Sequence, residues 1–219
     1  MKSKWITVNR MKRIFTSILL ITLFHATASF GATPTAKEFA SGNQAKFSTA
    51  GHPKSKGINL VVSYPRSWLA QEGERPNIVQ KFFSEHGKGL EGAIIVTKNL
   101  GVPPGTVISE MELEELFSPA ELKDMLPSGA SFIQASSTKI EGLPAGILEY
   151  STREERAGLT IHTQVVSYIF VHNNTLIQFQ CLVSTGIHNN QDMLIRKMAE
   201  FRPLFTLMAN SIVLPDRWK

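Results

Sequence analysis

Several groups of residues in this 219-residue chain have types and spacings that could do chemistry. Gly87-Lys88-Gly89-Leu90-Glu91-Gly92 spells G-x-G-x-x-G, the loop that seats a dinucleotide pyrophosphate on a helix N-terminus. The residues after it, Ala93-Ile94-Ile95-Val96-Thr97, are mostly β-branched and read as a strand, so the glycines belong to a hairpin turn. Glu110, Glu112, Glu114 and Glu115 offer four carboxylates to a metal. On a helix, however, they point around the axis rather than to one spot. His52, His86, His162, His172 and His188 follow no H-x-x-x-H or H-E-x-x-H spacing. His162 and His172 share a strand, about 33 Å apart at about 3.3 Å per residue, and cannot share a metal. Neither G-x-S-x-G nor G-x-x-x-x-G-K-[ST] occurs. No catalytic, cofactor-binding or metal-ligating residue is therefore assigned, and the residues of any binding site stay unknown.

Cys181 is the sole cysteine, which rules out a disulfide within the chain. It shares strand parity with Ile177, Phe179 and Val183 and reads as a buried apolar filler rather than a nucleophile. Arg153-Glu154-Glu155-Arg156 reads as the charged tip of a hairpin, and it is the most exposed candidate for a partner-docking handle.

The N-terminus predicts export. Lys2, Lys4, Arg10, Lys12 and Arg13 precede an apolar run of 11 residues, Ile14 to Phe24, and then Ala26-Thr27-Ala28 in A-x-A form. Eleven residues fall well short of the roughly 20 that span a bilayer. The chain carries 23 basic and 18 acidic side chains, but five of the basic ones lie in residues 1–28, which hold no acid. Cleavage there leaves 18 of each, so the basic balance belongs to the leader and gives no case for nucleic acid. The reading is a cleavable signal peptide over 1–28, a flexible lead-in over 29–45, and a single α+β domain over 46–219.

Elements follow from period and punctuation. Strands are expected at 57–64, 78–84 and 93–98, with a Gly-rich turn over 85–92. Ser109-Glu110-Met111-Glu112 and Ser118-Pro119-Ala120-Glu121 are capping boxes that open two short helices, 110–116 and 119–125. An antiparallel meander covers 131–140, 145–152, 159–172 and 175–184, with Asn173-Asn174 as a tight turn. Leu194, Met198, Phe201, Phe205, Met208 and Ile212 form one helical stripe, which Pro203 should kink or break. Trp68 reads as an anchor closing the first strand.

Tyr64-Pro65-x-x-Trp68, then a hairpin and short helices, then Gly142-Leu143-Pro144-Ala145 before a long meander, then a terminal helix with Phe205 and Ala209-Asn210-Ser211-Ile212, resembles the PsbP-like superfamily. Its members include the extrinsic lumenal protein of photosystem II, bacterial DcrB-like envelope proteins and a eukaryotic Ran-binding import factor. The likeness covers about residues 57–214. It implies an antiparallel sheet of six to seven strands flanked by helices, an α/β/α sandwich. It also implies a role in binding and stabilising other proteins, with no cofactor. The shared positions are packing positions, so no functional residue carries over. The sequence departs from the lipid-anchored bacterial branch in having no cysteine at the signal's end.

The expectation is an exported, non-enzymatic binding or assembly-assisting protein of the cell envelope, periplasmic or secreted. Its partner would be an envelope or secreted protein, with no nucleic acid and no stable membrane insertion after cleavage. One alternative is a carrier of a small apolar or metal ligand, with Met193, Met198 and Met208 near its pocket. Another is a hydrolase without a recognisable motif. The intact mass of the protein from its host's extracytoplasmic fraction should match a chain starting at Ser29, or after Gly31 where the second site, Ser29-Phe30-Gly31, is cut. A full-length mass there would contradict the cleavage.

Overall fold

The structure, a computed structural model, describes residues 33–103, 106–156, 158–186 and 191–218. The expected signal peptide and His188 lie outside them.

Two tight turns set the register of the main sheet. Glu141-Gly142 and Asn173-Asn174 all take positive φ, the geometry of two-residue hairpins whose twist matches their strands. The first turn joins β6 (Ser131–Ile140) to β7 (Leu143–Arg156), and the second joins β8 (Leu159–His172) to β9 (Thr175–Ser184). Three earlier strands, β3 (Leu69–Glu72), β4 (Ile78–Phe83) and β5 (Glu91–Asn99), then add through β5 against β9. The result is a seven-stranded antiparallel sheet in the order β3-β4-β5-β9-β8-β7-β6. β6 is thereby an edge strand ten residues long, while the opposite edge, β3, has four.

Both faces of the sheet are covered. On one, α5 (Gln191–Asn210) lies over β8 and β9, with α1 (Pro34–Ala40) and a two-stranded ribbon of β1 (Gln44–Ser48) and β2 (Val61–Pro65) beside it. On the other, α3 (Glu110–Leu116) and α4 (Pro119–Asp124) pack on β7 and β6. β8 shows the consequence: Val166, Tyr168 and Phe170 join the core under α5, and Val165, Ile169 and Val171 join the core under α3 and α4. A strand buried on both sides loses its alternation, which is why its even positions mix polar and aromatic residues. Cys181 is fully buried in the core under α5 with Ile177, Phe179 and Val183, and burial pushes its thiol pKa well up. Trp68 is buried in the same core. The α/β/α arrangement expected from the sequence is thus present.

Two expectations are corrected, and a third is narrowed. The stretch 29–45, expected as a flexible lead-in, contains α1 and the start of β1, and Ala36 and Phe39 of α1 are buried. Thr33 caps α1 through the amide of Ala36 at 3.1 Å, and Pro34 opens it. With seven residues it is too short to show helical periodicity in sequence. The strand expected over 57–64 begins only at Val61, and it pairs with β1 in the separate ribbon rather than joining the main sheet. Finally, α5 runs as one helix through Pro203. Pro203 sits on the exposed face, where the Ala199 carbonyl it leaves without a donor can turn toward water.

Both N-caps hold as read, but only the first is a full reciprocal capping box. Ser109 and Glu112 bond each other's backbone amides reciprocally, and Ser118 accepts from the amide of Glu121. They start α3 and α4, and fully buried Leu122 of α4 presses on Gly146 of β7. A Cβ at Gly146 would fall 2.4 Å from Leu122 Cδ2, and a side chain buried that completely has little room to yield. Gly146→Ala should destabilise the fold by about 1–3 kcal/mol, measured as a lowered urea midpoint.

Candidate functional site

The two buried carboxylates of the described residues, Glu91 and Glu149, both meet α5. Glu149 of β7 and Glu91 of β5 both stand in strands, with side chains only 1% and 3% exposed. A carboxylate in that position needs a full set of partners. Glu149 Oε1 accepts from Arg202 Nη2 at 2.6 Å and from Gln164 Nε2 at 2.7 Å, while Oε2 accepts from Gln134 Nε2 at 2.6 Å. Burial by itself would raise the Glu149 pKa. The hydrogen bonds from Arg202 and Gln134, with the guanidinium charge and Gln164, outweigh it, and the net direction is down. Glu91 Oε1 accepts from Lys197, and Oε2 accepts from the Ser84 hydroxyl at 2.7 Å.

The Glu91 end opens into a cleft of about 340 Å³, with Glu38, Ser67, Ser84, Glu85 and Phe201 among its walls. Glu38 Oε1 accepts the Ser67 amide at 2.9 Å, and its other oxygen accepts the Ser67 hydroxyl, tying α1 to the turn before Trp68. The loop over the cleft is α2 (Ser84–Gly87), a single turn in which Glu85 and His86 both adopt left-handed φ and ψ. Gly89 is needed there, since a Cβ would lie 1.7 Å from Ser84 Oγ. This is what the G-x-G-x-x-G run does: it turns β4 into β5 and lets Ser84 reach Glu91.

The cleft is poorly equipped for nucleophilic catalysis. A reactive serine needs a base free to take its proton and donors for the oxyanion. Ser84 is itself buried, and its carboxylate partner is already neutralised by Lys197. The acidic wall suits a cationic group more than an acyl or phosphoryl substrate. Among the described residues, no three His, Cys, Asp or Glu side chains are placed to hold a metal.

The opposite layer is different in kind. Glu110, Glu112, Glu114 and Glu115 of α3 are exposed while Leu113 faces the core, the solvated arrangement expected for them. Glu121 and Asp124 extend the acidic run, with Lys123 as the sole base between residues 110 and 124. A groove of about 450 Å³ runs between α3 and the β6–β7 hairpin, lined by Glu114, Phe117, Ser137, Lys139 and Pro144.

The remaining sequence candidates disperse. His52 accepts the amide of Lys54 through Nδ1, His162 lies near the turn end of the β7–β8 hairpin, and His172 lines a separate groove of about 430 Å³. Burial, then the Arg217 charge, lowers the His172 pKa against the pull of Asp216. Met198 and Met208 are fully buried on the sheet-facing side of α5 as packing residues. Arg153 to Arg156 belong to the β7–β8 ladder, and only Ala157-Gly158 intervene before Leu159. No helix among the described residues is long and apolar enough to cross a membrane.

No protein-family profile matches the chain, and no curated sequence does. Solved structures match in fold. The solution structure of cyanobacterial PsbP from Synechocystis sp. PCC 6803 shares 15% identity, covering 78% of this chain and 92% of that one, with a TM-score of 0.47. LpqN of Mycobacterium tuberculosis shares 14%, covering 84% and 98%, with a TM-score of 0.42. A protein of Bacteroides thetaiotaomicron shares 12%, covering 78% and 48%, with a TM-score of 0.41. A PsbP is thus among the solved structures to which this chain is similar, as the sequence resemblance implied. The likeness is one of fold, and no ligand or activity passes with it.

Sequence reasoning missed Glu91, Glu149, Lys197 and Arg202. The available signal was the pair of carboxylates inside otherwise apolar strand runs, Glu149 in Gly146-Ile147-Leu148-Glu149-Tyr150 above all. Because its pKa is depressed on folding, Glu149 adds stability above the ordinary value of 4.5, and loses it as pH falls through the folded value. Arg202→Ala should cost about 3 kcal/mol at pH 7, because it strands a buried carboxylate. The cost should shrink as pH falls from 7 to 4, because the stranded carboxyl, buried without its cation, protonates first. Urea midpoints at the two pH values measure this, and a pH-independent difference would refute the electrostatic account.

Proposed function

We propose that the chain is an exported, non-enzymatic binding protein that assists an assembly in the cell envelope. The observation that carries this reading is how the charged groups are used. The carboxylates buried in the sheet are spent on holding α5, whereas the α3–α4 layer turns a run of exposed acids outward beside an open groove. That is a surface for meeting a partner rather than a site for transforming a small molecule. The leader-like N-terminus, with its basic residues, short apolar run and A-x-A, supports the compartment. LpqN is described as involved in cell envelope biogenesis, and the reading places this chain in the same setting.

Native mass spectrometry of the protein purified mildly from its host's extracytoplasmic fraction tests the reading. The expected result is a stoichiometric complex with an envelope or secreted protein. A bound mass of a few hundred daltons or a metal ion would favour the ligand-carrier alternative. Repeated recovery of a bare monomer would count against assembly.

A further inference from the structure

β6 is a sheet edge in which the hairpin phase dictates which backbone groups are unpaired. In a two-residue hairpin the flanking residues, here Ile140 and Leu143, exchange both backbone hydrogen bonds. Counting back by twos, Thr138 and Ser136 also point their amides and carbonyls at β7. Ala135, Ser137 and Lys139 point theirs away from it. None of these three makes a backbone hydrogen bond outside the ladder among the described residues. They form three donor–acceptor sets at intervals of about 6.8 Å.

Natural sheets blunt such edges with bulges, lysines or covering elements. The register shift between Phe132 and Gln134 confines the regular edge to residues 134–140 but leaves that stretch intact. Lys139 is drawn aside to Glu110 at 3.3 Å. Its position opposite Pro144 also places it on the α3–α4 side of the sheet, with Ser137 opposite Gly146 and Ala135 opposite Leu148. Ser137 confirms this by donating its hydroxyl to the Phe117 carbonyl at 2.9 Å. An eighth strand laid on β6 would therefore present every second side chain to Glu110, Glu114 and their neighbours.

We infer that β6 docks an extended, basic segment of a partner protein by strand addition. The backbone of Ala135, Ser137 and Lys139 supplies the pairing, and the acids of α3 and α4 select Lys or Arg at alternate positions. Charge argues against a second copy of this chain, since two-fold pairing of β6 on β6 would bring both acidic layers together. The inference rests on the reading of the chain as a binding protein and deepens it.

The test uses the mature chain and three synthetic ten-residue peptides: alternating Lys and Val, alternating Glu and Val, and the Lys–Val peptide N-methylated at alternate residues. Only the first should bind at low salt and slow amide exchange at Ala135, Ser137 and Lys139. Ser137→Pro removes one outward donor without touching the β7 ladder and should weaken binding at least tenfold. The exposed pair Glu110→Lys and Glu114→Lys should do the same and serves if the proline variant unfolds. Protection elsewhere, equal binding of the Glu–Val peptide, or protection of β6 that rises with protein concentration alone would overturn the inference. The two readings separate in the purified complex. A partner retained by Ser137→Pro would sink the edge and leave the assembly role standing. Peptide capture at β6 by a chain that never yields a partner would do the reverse.

Discussion

The architecture depends on how one helix is held across four strands. α5 lies on β8 and β9, and two of its three long cations reach past them in opposite directions, Lys197 to Glu91 on β5 and Arg202 to Glu149 on β7. The apolar stripe of α5 supplies most of the burial but leaves its position along the sheet weakly specified, because packing against Val, Ile and Phe is not directional. The ion pairs are directional. Each carboxylate is buried, so a shifted α5 would strand a charge in the core, a far larger penalty than a misplaced methyl group. A helix with these two cations five residues apart can satisfy both strands in only one placement. The buried pairs thus set the register of α5 as well as contributing to stability at neutral pH. Tyr168, whose phenol burial drives up to about 12, adds a third polar contact on the same face through Thr206 at 3.3 Å.

This explains which parts of the fold were legible in the sequence. The meander could be read because Asn173-Asn174 is local turn chemistry, and α3 and α4 because their caps are local hydrogen bonds, whereas the two-residue turn at Glu141-Gly142, which starts β7 at Leu143, was not. The α5 stripe could be read because one face of a helix is buried for nearly its whole length. What could not be read is what depends on distant residues. β1 and β3 are short, partly exposed strands whose only reason to be extended is the strand beside them. α1 exists because Phe39 finds the core and Glu38 finds Ser67, 29 residues away. The same holds for the site residues. A glutamate in a strand says that something must neutralise it, and only the folded chain says that Arg202, 53 residues on, does so.

A sheet filled on both faces has consequences for function. The largest side chains of the interior, among them Phe82, Phe117, Phe170, Phe179 and Phe205, are fully buried on one side or the other. Recognition then falls to the periphery: the grooves between helix and sheet, the hairpin ends and the strand edges. The two edges are not equivalent. β3 offers four residues and is followed by a turn, too little for a stable ladder, whereas β6 offers seven regular residues beyond its bulge.

Charge distribution separates the two sides further. The ion pairs beneath α5 are internally compensated and project little field. Residues 110–124 carry six acids against one lysine, all outside the core. In a chain cleaved after Ala28 the totals are 18 and 18, so the remaining mature residues hold a matching excess of five basic side chains. A formally neutral protein then carries one strongly acidic layer. Such a layer contributes little to affinity at physiological salt, where exposed charges are screened beyond about 8 Å. It does bias the orientation of encounter, turning the α3–α4 side and the β6 edge toward a basic partner before any backbone pairing forms. Edge and acidic layer therefore work in sequence, the charges selecting which segment arrives and the unpaired amides holding it in register.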